Sequence, residues 1–389
     1  MPNRKFELPG IQDLSKEQEA ARLLPKHGQH LIVGGPGTGK SVLALIRARR
    51  HRRDNDSYLF LVFNHLLSRA SGQLFGDGLV GETWIGWFLE TFRTTTGRSV
   101  PRKQPSENGF REIDWPGVAE IVSAFPEGKN RQESPFLVID EGQDMPREFY
   151  NTLVGLGFDR FFVVADQNQQ ITEANSSRKD IQDCLALEAG DVIELRHNYR
   201  NSYRVARLAN AFYTGDPASP PPELPATAPG PAPILYAYDG DNLSAAARAI
   251  LRLVDRDPRQ LVGIIAPNNR VRERYLQALR SADVQLDNTP PLIETYHGQH
   301  RAEVAFDQGG ILVINAQACK GLEFDTVVLA DIDEHYVRRA DPDGAKRLFY
   351  VMVARARERV FMFVKRDGRS EIQRILPSDP DLLRREHMQ

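Results

Sequence analysis

Cysteine is almost absent from this chain: Cys184 and Cys319 are the only two among 389 residues. Two thiols exclude a disulfide framework and a four-cysteine zinc site, and such usage fits a reducing compartment. No apolar run approaches the ~20 residues needed to cross a bilayer. The opening "MPNRKFELPGIQDLSKEQEA" has no apolar core of the kind a secretory signal carries. A cytoplasmic protein with no membrane partner is therefore expected. An excess of one charge is lacking too. Lys+Arg number 50 against 52 Asp+Glu, a net charge of −2, so composition neither demands nor excludes a polyanionic partner. What is present, 41% hydrophobic and 26% charged residues, suits a globular chain long enough for two or three ordinary cores.

Short apolar runs punctuate the chain and end in loops rich in Gly, Asp or Asn. In the first half these are "HLIVGG" (30–35), "YLFLVFN" (58–64), "PFLVID" (135–140) and "RFFVVADQ" (160–167). Helical features lie between them at Ser41 to Arg53 and Arg147 to Leu156. Continuous rather than alternating runs suit strands buried on both faces, so a parallel α/β sheet is expected up to about Leu195. The stretch "DPASPPPELPATAPGPAP" (216–233) then carries eight prolines in eighteen residues and reads as an extended loop. Strands are expected again at 233–239, 261–267, 310–316, 325–331 and 360–366. Helices are expected at Leu243 to Val254, Asn269 to Arg280 and Ala345 to Arg357.

"GGPGTGKS", Gly34 to Ser41, fits G-x-x-x-x-G-K-[ST] between an expected strand and an expected helix. In that context Gly35, Gly37, Thr38 and Gly39 let main-chain N–H groups curl round a phosphate, and the helix N-terminus adds partial positive charge. Lys40 would reach the β- and γ-phosphates, and the Ser41 hydroxyl would ligate Mg²⁺. Such a site needs an acid at a neighbouring strand end to hold the metal, and Asp140 in "IDEGQDMP" fits. Glu141 beside it is the candidate base for an attacking water. ATP and Mg²⁺ are the expected cofactors.

Six segments, taken in order, resemble the UvrD/Rep-type superfamily 1 (SF1A) DNA helicases. "LSKEQEAA" (14–21) is similar to the Q motif, which implies that Gln18 reads adenine. "VIDEGQD" (138–144) matches the DExQD motif, and "VVADQNQQI" (163–171) resembles the GDxxQ motif, with Gln169 as γ-phosphate sensor. "LRHNYRNS" (195–202) matches the NYR motif, implying that Tyr199 stacks on adenine and Arg200 contacts the γ-phosphate. "ACKGLEFDTVVLAD" (318–331) matches the KGLEF motif, with Gly321 and Glu323 near the nucleotide. "KRLFYVMVARARERV" (346–360) resembles the last motif and gives Arg355 as a second arginine finger. The resemblance implies two RecA-like lobes, 1–195 with a small insertion near 89–135 and 196–389 with the proline-rich loop, and an ATP site in the cleft between them. It implies an ATP hydrolase that moves 3′ to 5′ along single-stranded DNA, RNA being the other candidate strand.

Departures gather where the family touches nucleic acid. Phe63 and Asn64 stand at the first strand-contacting motif. Thr83 and Trp84 remain where the family has T-F-H-S-F, but Ile85 and Gly86 follow. Asn315 and Gln317 precede KGLEF where Thr and His are usual, and Ala354 replaces a common Thr. The chain also leaves little room for accessory subdomains. These departures keep a second reading in play: a nucleotide-gated switch within a larger assembly, such as a genome-defence complex with a nuclease partner. Two distant arginine motifs exclude an ordinary P-loop kinase.

Overall fold

The computed structural model describes residues 14–63, 81–105, 111–125, 134–166, 175–214, 220–226, 229–239, 243–296, 309–336, 341–366 and 371–388. Two compact units emerge. One comprises Glu7–Gly34 and Gly39–Leu195, the other Arg196–Gln389 with Gly35–Thr38.

The first unit is built on a sheet of β1 (Gln29–Gly34), β2 (Tyr58–Val62), β3 (Glu82–Thr83), β4 (Phe136–Ile139), β5 (Phe161–Ala165) and β6 (Val192–Leu195). The strand order is β3-β2-β4-β5-β1-β6 and every pair is parallel. Every residue of β4 and β5 is buried, as continuous apolar runs require. Side chains alternate across the sheet with period 2. Leu31, Val33, Leu137, Ile139 and Val163 therefore enter one core, and Ile32, Val138, Phe162 and Val164 the other. The helices that cover these faces are α1 (Lys16–Leu23), α2 (Lys40–Arg53), α3 (Trp84–Thr96), α4 (Trp115–Ser123), α5 (Arg147–Gly155) and α6 (Arg178–Cys184). Ala21 of α1 and Leu43, Ala44 and Ala48 of α2 pack on the second face. Phe88 of α3, Val118 of α4 and Phe149 of α5 pack on the first. Helices on both faces make the sheet interior dry, which is what allows strands with no polar face.

The second unit repeats the plan. Its sheet contains β7 (Ile234–Tyr238), β8 (Leu261–Ala266), β9 (Ile293–Thr295), β10 (Gly310–Asn315), β11 (Phe324–Leu329), β12 (Ala356–Lys365) and β13 (Arg384–His387). The order is β13-β7-β12-β11-β8-β10-β9, again parallel throughout. Its helices are α7 (Tyr203–Asn210), α8 (Leu243–Arg256), α9 (Asn269–Ser281) and α10 (Pro342–Val353). Ala246 and Ile250 of α8 meet Val271 and Tyr275 of α9 over Val262 and Ile264 of β8. The α/β class with two parallel sheets, as in two RecA-like lobes, is thus the observed one.

One expected element changes. A helix through Arg357 is replaced by α10 ending at Val353 and β12 opening at Ala356. "ARERV" has good helix formers, but Ala356 and Arg359 pair with Phe324 and Thr326 of β11, and that ladder outweighs weak propensity. The short strands β3, β6, β9 and β13 carry no long apolar run and were not expected. They form the edges of the two sheets. In the proline-rich loop, Glu223 bridges to His197. The 89–135 segment supplies most of α3 and all of α4.

Candidate functional site

In the first unit, strand order brings chemistry to one corner. Strands β4, β5 and β1 are neighbours, so their carboxyl ends set Asp140, Asp166 and the chain leaving Gly34 side by side. Carboxyl strand ends are where open parallel sheets take ligands. Gly37 and Gly39 have φ of 77° and 88°, a left-handed conformation that glycine adopts without steric cost. A Cβ on Gly39 would lie 2.6 Å from the Gln18 amide nitrogen, so only glycine lets α2 begin there.

Lys40 opens α2 and its ammonium lies 3.1 Å from Asp166 Oδ2, with Asp166 fully buried. The Ser41 hydroxyl donates to Asp140 Oδ1 at 3.2 Å. Glu141 follows in the left-handed region at φ 56°, which swings its side chain off the strand axis. Its Oε2 accepts from the Gln143 amide at 2.7 Å, and Gln143 Oε1 accepts from the Asp166 N–H at 2.8 Å. Gly142 is packed so tightly that a Cβ would fall 2.3 Å from Val163 Cγ1. Burial first, and the neighbouring Glu141 charge second, push the Asp140 carboxyl up to about 7, opposed by the Ser41 hydroxyl and Lys40. A buried acid held in that state gains most from a cation beside it. One hydroxyl and one carboxylate suit Mg²⁺, which keeps waters and phosphate oxygens in its remaining positions. The residues present therefore fit the implied metal.

Gln18 sits at N3 of α1. Its Oε1 accepts from the Ser15 N–H at 3.0 Å while Ser15 Oγ accepts from the Gln18 N–H at 3.1 Å. This capping box fixes the glutamine against the loop. Thr38 Oγ1 donates to the Gly35 carbonyl at 2.9 Å, so it stiffens the loop's own turn.

The second unit assembles the motif arginines. Arg200 forms an ion pair with Glu323, which joins the NYR and KGLEF segments. Asn198 Oδ1 accepts from the Arg200 and Asn201 N–H groups at 3.0 and 3.1 Å. The Asn201 amide reaches the carbonyls of Ala354, at 3.1 Å, and of Ala356. It thereby ties the NYR turn to the main chain on either side of Arg355, which is 2% exposed. Tyr199 is half exposed at 52%, with its ring 6.1 Å from that of His197. Gly321 has φ 73°, again a glycine conformation.

Residues 310–363 match the UvrD-like helicase C-terminal domain. That segment runs from β10 through most of β12 and contains Asn315, Gly321, Glu323 and Arg355. Lys40, Asp140 and Arg200 lie outside it. No curated relative matches the chain. Among solved structures, the C-terminal domain of a possible DNA helicase from Lactobacillus plantarum WCFS1 is similar at 17% identity. The match covers 48% of this chain and 97% of that one, with a TM-score of 0.34. The family-model match spans the KGLEF segment and the last-motif segment.

Of the strand-contacting candidates, Phe63, Thr83 and Trp84 gather at the carboxyl ends of the paired strands β2 and β3, where Val62 is in register with Thr83. Trp84 packs edge-on against Phe149, 5.3 Å between ring centres, beside the first-unit core. Thr83 precedes α3 without a side-chain cap, and Phe63 follows β2 half-buried. The Asn315 amide donates to Asn269 Oδ1 at 2.7 Å. Gln169 and Asn64 lie outside the described residues. Four further residues not named as site candidates join it: Asp166, Gln143, Asn198 and Asn201. All stand in the motif segments already quoted, Asp166 in "VVADQNQQI", Gln143 in "VIDEGQD", and Asn198 and Asn201 in "LRHNYRNS". Asn201 follows the NYR triplet itself, and only its contacts single it out. No helix among the described residues is long and apolar enough to cross a membrane.

Proposed function

We propose that this chain is an ATP hydrolase that couples turnover to movement along single-stranded nucleic acid, DNA before RNA, in the 3′ to 5′ direction. The observation that carries this reading is the buried corner where Lys40 meets Asp166 and Ser41 meets Asp140, next to Glu141. When bound, Mg²⁺-ATP supplies the scissile phosphoanhydride and a divalent charge to neutralise it. Ser41 and Asp140 would hold the cation, and Lys40 would exchange its Asp166 contact for phosphate oxygens. Glu141, oriented by Gln143, takes the proton of the attacking water. The family resemblance implies that Arg200 and Arg355 would neutralise charge developing on the transferred phosphoryl group. The helicase-type C-terminal match at 310–363 includes Arg355 and supports the assignment of that arginine.

Packing of Trp84 on Phe149 leaves a strand only part of that ring for stacking, where a base–aromatic stack contributes about 1–3 kcal/mol. This observation favours a second reading, an ATPase switch inside a larger assembly that includes a nuclease. Steady-state phosphate release with and without single-stranded DNA or RNA separates the two. A motor is stimulated by a strand, and the stimulation fades as salt rises because phosphate contacts release counterions. Turnover indifferent to every nucleic acid overturns the motor reading.

A further inference from the structure

The α2 helix carries a second anion-seeking feature well away from its N-terminus. Leu43, Ile46, Arg47, Arg50 and Arg53 recur at three- and four-residue intervals, so they line one face of the helix. Together with α1 and Phe162 of β5, that face bounds a cavity of about 590 Å³ within the first unit. Its floor is apolar, formed by Ala21, Leu43, Ile46 and Phe162. Its cations are Arg22, Arg47, Arg49, Arg50 and Arg53.

Five arginines in one pocket repel each other unless anions intervene. Arg22 is answered by Glu19 at 2.6 Å and Arg53 by Asp54 at 3.0 Å. Arg47 and Arg50 are not answered in this way. Arg47 is 4% exposed, donates to the carbonyls of Leu24, at 2.9 Å, and Pro25, and lies over the Phe162 ring at 5.0 Å. Its Nε is buried without a partner. Arg50 makes only long bonds, 3.5 and 3.4 Å, to the carbonyls of Arg22 and Leu24. No carboxylate pairs with Arg47 or Arg50 among the described residues. Burial and the Arg50 charge push the Arg47 guanidinium down to about 10, the direction expected of a cation that lacks a counter-charge.

A buried guanidinium costs free energy unless paired, and its planar fork matches phosphate better than any other anion except carboxylate. The floor adds room for a flat apolar body, and the volume lies in the range of small-molecule sites. We propose that this cavity binds a phosphorylated small molecule of the mononucleotide class, distinct from any nucleotide held at the glycine loop. Arg50 stands ten residues after Lys40 on the same helix, about 15 Å along its axis at 1.5 Å per residue. The apolar floor takes the base, and Arg50 and Arg53 take the phosphate. This proposal does not rest on the ATPase reading.

The test is a fluorescence-anisotropy titration of the full chain with N-methylanthraniloyl-GMP, with saturating ADP and Mg²⁺ present throughout to fill the glycine loop. Saturable 1:1 binding that inorganic pyrophosphate competes away is expected. Arg50→Ala should weaken it at least tenfold, and Ile46→Glu, which sets a carboxylate among the arginines, should weaken it similarly. Circular dichroism verifies folding, and the exposed Arg53→Ala serves in place of either variant that does not fold. Absence of saturable binding overturns the proposal. So does binding that the folded variants leave unchanged, or binding of polyglutamate with none of the nucleotide.

Discussion

Replacing Asp140 with asparagine should stabilise the nucleotide-free chain at alkaline pH. The Asp140 carboxyl is raised from 3.8 to about 7 by burial and by Glu141. An acid raised in the folded state keeps its proton there after the unfolded chain has lost it. The resulting penalty is nil below about 3.8, grows between the two values, and is full above about 7. At 1.36 kcal/mol per tenfold in acidity, the penalty is on the order of 4 kcal/mol at pH 8 but about 2 kcal/mol at pH 5. Asparagine keeps an oxygen for both the Ser41 hydroxyl and the Glu141 N–H, at 3.2 and 3.0 Å in the parent. The gain of the variant over its parent should therefore grow by about 2–3 kcal/mol from pH 5 to pH 8. Half-buried His335, which desolvation pushes down to about 4, has the opposite sign: its contribution is full above 6.5 and is lost as pH falls towards 4. That loss is about 2 kcal/mol at pH 5, but it is common to both proteins and cancels in the difference. Urea unfolding in EDTA, followed by circular dichroism at the two pH values, reads the effect. A gain that is independent of pH, or larger at pH 5, refutes the reasoning.

Glu141→Gln should retain ATP binding while turnover falls about 10²–10⁴-fold, the range for loss of a positioned base. Normal phosphate release from that variant would remove Glu141 from the role. Gly142→Ala sets a Cβ 2.3 Å from Val163 Cγ1 and 2.9 Å from the Tyr150 hydroxyl. It should cost about 1–3 kcal/mol through overpacking, seen as a lower urea midpoint at an unchanged slope. Asn201→Ala leaves the Ala354 and Ala356 carbonyls without their side-chain donor. A stability loss of about 1–3 kcal/mol is expected in the same assay. ATPase activity should fall alongside it, since the main chain around Arg355 is then untied.

Much of the fold was legible because the central strands are buried on both faces. "FLVI" and "FFVVA" tolerate no polar residue, so their hydrophobic runs coincide with the strands themselves. Edge elements such as "IET" and "RREH" escape such reading, because an edge strand needs only one ladder and no continuous apolar run. The end of α10 escaped for a different reason. Nothing local forbids helix at Ala356, and only its pairing partner in β11, some thirty residues earlier in sequence, decides it.

The sequence alone determined the parallel α/β class and the glycine-lysine loop, because both are written in contiguous residues: apolar runs for one, G-x-x-x-x-G-K-S for the other. The tertiary structure alone decided which acid each loop residue meets. Lys40 finds Asp166 at 126 residues' separation and Ser41 finds Asp140 at 99. Those encounters depend on the strand order β4-β5-β1. Helices packed on both faces hold that order, and no local pattern encodes it.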